Sequence, residues 1–191
     1  MSFSYRSRTG KTYYLHTGPK RGGGAQYFFS TKSDGTLAEL LPKGFEVYET
    51  VNGQVYLRRE QPKLIRDEER NCIVKRLSQA PPGNRYRVEI QGKTLTVHES
   101  ASRVGDVDWL ERFRLPCSPQ RQEEIDERLA HYQAVMRFVL VDGERRLFAA
   151  ERFCFRGSVE DWISIGTPDS IEKLAAKYLK HLGRDSLYEL Y

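Results

Sequence analysis

Residues 1–33 carry Arg6, Arg8, Lys11, Lys20, Arg21 and Lys32, and the first carboxylate is Asp34. Phe3, Tyr5, Tyr13, Tyr14, Tyr27, Phe28 and Phe29 are interleaved with these cations. Cations neutralise phosphates and ring faces stack on bases, so this mixture suits a polyanion such as nucleic acid. Between the aromatic runs lies Gly18-Pro19-Lys20-Arg21-Gly22-Gly23-Gly24. Its three consecutive glycines leave backbone amides free to approach a phosphate, while Lys20 and Arg21 supply charge. The expected phosphate contacts are therefore Arg6, Arg8, Lys11, Lys20, Arg21 and Lys32, and the expected stacking rings are Tyr14 and Phe28. The competing reading of the rings is structural, because Tyr and Phe favour strands and fill cores. Gly10-Lys11-Thr12 ends like a nucleotide-triphosphate loop, but Tyr5 stands where the first glycine is required and no apolar strand precedes it.

Other chemistry has weaker support. Cys72, Cys117 and Cys154 are far apart and odd in number, which argues against a disulfide framework. His16, His98, His131 and His181 stand alone, without metal-ligand spacing, so neither a metal nor a cofactor is expected. Cys154 lies between Arg152 and Arg156 in an expected strand, where guanidinium charge favours thiolate. With no histidine nearby in sequence, a strand cysteine packed as a small apolar group is the simpler reading. Ser158 follows Gly157 without a nucleophile-elbow pattern. No catalytic residue is assigned. A second basic group, Arg58, Arg59, Lys63 and Arg66, has Glu60, Asp67, Glu68 and Glu69 close enough to neutralise it, which suits a surface ion-pair network.

These side chains need elements to hold them. Lys11–His16 and Gln26–Thr31 read as strands joined by a long basic tip over 17–25. The period of two puts Lys11, Tyr13 and Leu15 on one face and Thr12, Tyr14 and His16 on the other. Thr36 can cap a short helix through Leu41, stopped by Pro42 and Gly44. Phe45–Thr50 and Gln54–Arg59 flank Asn52-Gly53, the strongest hairpin signal in the chain. Residues 1–62 thus form an expected ββαββ unit. A helical connector over 63–84 follows, with Asp67 as its cap and Ala80-Pro81-Pro82-Gly83-Asn84 as its stop. Residues 85–191 form a second α+β unit. Arg85–Gln91, Thr94–His98, Val135–Val141 and Arg146–Arg156 read as strands. Helical stretches are expected at 107–113, at 118–132 with Glu123, Glu124, Asp126 and Glu127 outward, around Trp162, and from Ser170 to near Gly183.

The fold class is therefore α+β: two small antiparallel-sheet units, built from hairpins with packed helices, in one compact body. Of the formal charge of +5, all the excess lies early, since residues 1–64 hold ten Lys/Arg against five Asp/Glu while the rest hold 21 of each. Concentrated charge of this kind focuses a field on an anionic partner. No apolar signal region opens the chain and no eighteen apolar residues run together, so a cytoplasmic location without membrane insertion is expected. The leading functional expectation is a non-catalytic protein that binds DNA or RNA through the phosphate backbone. The alternative is a protein-interaction or accessory subunit, or self-association, through the C-terminal helix and Tyr191. An enzyme with a site assembled across the two units comes third.

Overall fold

The computed structural model of the chain describes residues 2–20, 22–79, 85–101, 128, 130–156 and 159–191. It divides into two compact units, one of residues 1–61 and 108–130 and the other of residues 62–107 and 131–191. Helices and antiparallel sheets both contribute, as an α+β class requires. Arg21, the stop at 80–84, the helical stretch expected at 107–113, Cys117, the acidic run from Glu123 to Glu127, and Ser158 lie outside the described residues.

In the first unit β1 (Ser4–Arg6), β2 (Thr12–Pro19) and β3 (Ala25–Ser30) form an antiparallel sheet in that order. β1 is too short for its alternation to be legible in sequence. Its turn back into β2 is closed by Gly10, at φ +80°, whose N–H donates to the Ser7 carbonyl. The hairpin runs further than expected: Thr17 pairs with Tyr27, Gly18 with Gln26 and Pro19 with Ala25. Pro19 is tolerated because it closes its strand. The tip shrinks accordingly to 20–24.

The helix expected from Thr36 to Leu41 is absent. Because β1 covers only half of β2, the other half of that edge is open, and Leu37 bridges His16 there. Thr17 N–H donates to the Thr36 carbonyl and Ala38 N–H to that of Leu15. A six-residue helix is marginal on its own, whereas an unfilled sheet edge offers ready hydrogen-bond partners. β4 (Phe45–Glu49) and β5 (Val55–Arg59) form a separate two-stranded ribbon. Asn52-Gly53 lies in its connection, but the loop spans five residues, with Thr50 N–H donating to the Gln54 carbonyl. Glu49 ties ribbon to sheet by accepting from the Tyr5 hydroxyl (2.8 Å) and the Arg8 backbone N–H (2.7 Å).

The second unit begins with α1 (Asp67–Ser78), whose N-cap is Arg66 and not Asp67. Glu69 reaches back to accept from the Arg66 N–H at 2.8 Å, which satisfies one of the donors left open at a helix start. Then β6 (Tyr86–Gln91), β7 (Thr94–Ser100), β8 (Tyr132–Asp142), β9 (Leu147–Arg156) and β10 (Val159–Ser164) make a five-stranded antiparallel meander. β8 opens at Tyr132, where helix was expected to end. Trp162, expected in a helix, lies in β10 opposite Phe153, with the rings edge to face at 5.0 Å. That cross-strand contact stabilises a strand more than a short helical turn would.

α2 (Ile171–Tyr178) follows, extended by 3-10 turns at Leu179–His181 and Asp185–Leu187. Its Ile171, Leu174, Ala175 and Tyr178 join Ile73 and Leu77 of α1 on one sheet face, over Leu95, Val97, Met136, Phe138 and Phe148. A core-facing position of β9 is held by Arg152, opposite Met136 and only 4% exposed. It donates from Nε to the Leu190 carbonyl (2.9 Å) and from Nη2 to that of Tyr188 (3.2 Å), which docks the C-terminal segment. No described helix is long and apolar enough to cross a membrane.

Candidate nucleic-acid interface

Register fixes what each face of the first sheet presents. Leu15 lies opposite Phe29, and Tyr5 opposite Tyr13, so these residues share the face turned to the unit's interior. Leu15 is fully buried, Phe29 lies 6.1 Å from Phe3 between ring centroids, and Tyr13 donates its hydroxyl to the Gly53 carbonyl at 3.5 Å. The structural reading of the rings therefore holds for this half of them.

The other face carries Arg6 opposite Thr12, Tyr14 between Ser4 and Ser30, and His16 opposite Phe28. Phe28 is 46% exposed, far more than a core ring. It stacks on His16 with centroids 5.3 Å apart and planes 14° from parallel. His16 is itself buried, and its Nε2 donates to the Lys32 carbonyl at 2.9 Å, a direction fixed by the carbonyl having no proton to give. Gly35, at φ +99°, passes beside the same imidazole, so a Cβ there would sit 3.7 Å from Nδ1.

The expected phosphate contacts separate into groups. Arg6, Lys11, Lys20 and Lys32 are exposed and make no ion pair among the described residues. Arg6 is in phase with Tyr14 and His16, Lys20 begins the hairpin tip, and the backbone of Lys32 is held against the His16 ring. Lys11 stands in the opposite phase, at the entry to β2, where its carbonyl accepts from Ser7 N–H. Arg8 is committed internally: its Nε donates to the Val51 carbonyl at 2.7 Å. Arg21 lies outside the described residues.

The glycines of the tip do not offer three free amides. Gly22, Gly23 and Gly24 all have φ above +90° or close to it, a conformation that only glycine adopts readily. Gly23 N–H donates to the Lys20 carbonyl and Lys20 N–H to the Gly24 carbonyl, so the loop closes on itself. Its contribution to an anion site rests on the Lys20 side chain more than on a cradle of backbone donors.

Of the second basic group, Arg58 pairs with Glu46 directly across the ribbon at 2.7 Å and lies 4.0 Å over the Tyr48 ring. Lys63 pairs with Asp67 at 2.8 Å. Lys63–Asp67 is a surface pair of the kind the sequence suggests, whereas Arg58 is partly buried and its partner Glu46, twelve residues away, is revealed only by strand pairing.

Among the described residues of the second unit, no histidine is brought to Cys154. His98 is on the face of its sheet turned away from the α1–α2 core, opposite Arg87, whereas Cys154 is in phase with Arg152 on the core side. Cys72 and Cys154 are free, half-buried thiols. His181 Nδ1 lies 2.9 Å from Ser186 Oγ and His131 is exposed. Among the described residues no three His, Cys, Asp or Glu side chains cluster as a metal site would.

The residue that sequence reasoning passed over is His16. Its signal was its phase with Tyr14, but its stacking on Phe28 depends on hairpin register, which in turn depends on where the tip begins. In comparisons with known proteins, no family model matches the chain, and no curated protein or solved structure matches it significantly.

Proposed function

We propose that this protein binds nucleic acid through the outward face of its N-terminal three-stranded sheet, in a non-catalytic role. The observation that carries the reading is the conjunction of three exposed cations, Arg6, Lys20 and Lys32, unpaired among the described residues, with the exposed ring of Phe28 on the outward face and at the tip of the same small sheet, Lys11 standing exposed in the opposite phase. Phosphate contacts supply the affinity and position the strand, and ring contacts add to them without reading sequence. Free thiols at Cys72 and Cys154 fit a cytoplasmic setting.

A second reading, a protein partner or second copy at the C-terminal end, draws on Tyr188 and Tyr191, which are 60% and 87% exposed. α2 offers such a partner little, because its apolar face is already buried on its own sheet.

The test is Lys20→Glu combined with Lys32→Glu. Both side chains are exposed, so the thermal unfolding midpoint should stay at the wild-type value while affinity for labelled oligonucleotides falls by about tenfold or more at low salt. Unchanged affinity would remove this face from any polyanion site.

A further inference from the structure

We infer that the nucleic acid taken by this face is single-stranded, with an unpaired base stacked on the outer side of Phe28; this rests on the polyanion reading above. In a duplex, base faces are occupied by their neighbours and only base edges are open in the grooves. A ring standing on a sheet surface therefore finds a free base face only in a single strand, a loop or an end.

The geometry at Phe28 is that of a supported platform. One face of its ring rests on His16 at 5.3 Å and 14°, while nearly half of the side chain remains open to solvent. His16 is held in turn by its hydrogen bond to the Lys32 carbonyl and by the close passage of Gly35. The pair is fixed from below before any ligand arrives, so less rotamer freedom is lost on binding than for an isolated surface ring. β3 is the edge strand of its sheet, and among the described residues no strand is hydrogen-bonded to its outer side, β5 lying near it without pairing. A base added to the open face extends the stack to three tiers, base, Phe28 and imidazole.

The charges are placed for the backbone of the same strand. The Lys32 backbone is fixed at the His16 ring, Arg6 shares the face, and Lys20 stands at the end of β2. Stacking is tolerant of base identity because every base presents a π-face, so the expected ligand is any flexible single strand.

Fluorescence anisotropy with a labelled oligothymidylate of about 16 nucleotides, and with the duplex formed by adding its complement, tests this directly. Phe28→Ala should weaken single-strand binding about tenfold and leave duplex binding unchanged. Phe28→Trp should keep single-strand affinity and add indole quenching that appears with the single strand and not with the duplex. Because the Trp variant retains the ring, the test survives if the Ala variant folds poorly. Equal loss of both ligands in Phe28→Ala, or full single-strand binding by Phe28→Ala without added quenching in Phe28→Trp, overturns the stacking inference. If binding is still lost in Lys20→Glu/Lys32→Glu, the polyanion reading stands without it; if that variant binds both forms as the wild type does, the polyanion reading itself has failed.

Discussion

His16 and His98 are both buried strand histidines, and their surroundings set them different tasks. His16 has a carbonyl to donate to and a ring to support, so it serves as a rigid underlay for Phe28. His98 is 8% exposed, has no hydrogen-bond partner at Nδ1 among the described residues, and lies 3.5 Å from Glu89. Burial holds its pKa below the usual 6.5, while the neighbouring Glu89 carboxylate pulls the other way. The unfolded chain then binds a proton at a higher pH than the folded chain does. The neutral-histidine contribution is fully present above about pH 6.5 and is lost as pH falls below it. The unfolding midpoint of the wild type should therefore drop more between about pH 7.5 and 5.5 than that of His98→Gln. An equal drop in both would mean that His98 is not the titrating group. At this scale the sequence named the exposed cations and Phe28 from residue type, but not the burial of His16, which shares the phase of Phe28. It could not show that Arg8 is consumed by Val51 or that Arg58 answers Glu46, since both depend on pairings across loops of unread length.

Strands β6 to β9 of the second sheet were legible, helped by clean alternation such as that of Tyr86–Gln91, whereas β10 was read as helix. Elements failed where the signal was short. Leu37 was drawn to an open sheet edge and Trp162 to Phe153, and neither attraction is visible in a local window. Two element-level outcomes follow from the packing. Arg152→Ala should destabilise the second unit by about 2–3 kcal/mol, since it strips charged donors from the carbonyls of Leu190 and Tyr188 inside a buried site. Faster amide exchange over 187–190 should accompany it, and stability within about 0.5 kcal/mol of wild type would contradict that role. Gly53→Ala should cost more than about 1 kcal/mol, because φ is +74° and the new Cβ would lie 2.5 Å from Thr9 Cγ2. A neutral melt would show that the ribbon's turn adjusts freely.

Across the whole molecule, positive charge is a property of the N-terminal sheet and ribbon sequence and not of a whole unit. Residues 1–61 hold nine Lys/Arg against five Asp/Glu, whereas residues 108–130, assigned to the same unit, hold four against six. Under the proposed function, this local excess is what draws a polyanion to the N-terminal sheet although the protein as a whole carries only +5. The most direct measurement is the salt dependence of oligothymidylate binding by the full chain. Three phosphate contacts on this face, from Arg6, Lys20 and Lys32, predict a slope of log K against log salt of about −2 for a single strand, reduced to about −0.7 in Lys20→Glu/Lys32→Glu. A flat salt response, or no binding at about 50 mM salt, would contradict the assignment of this face to nucleic acid.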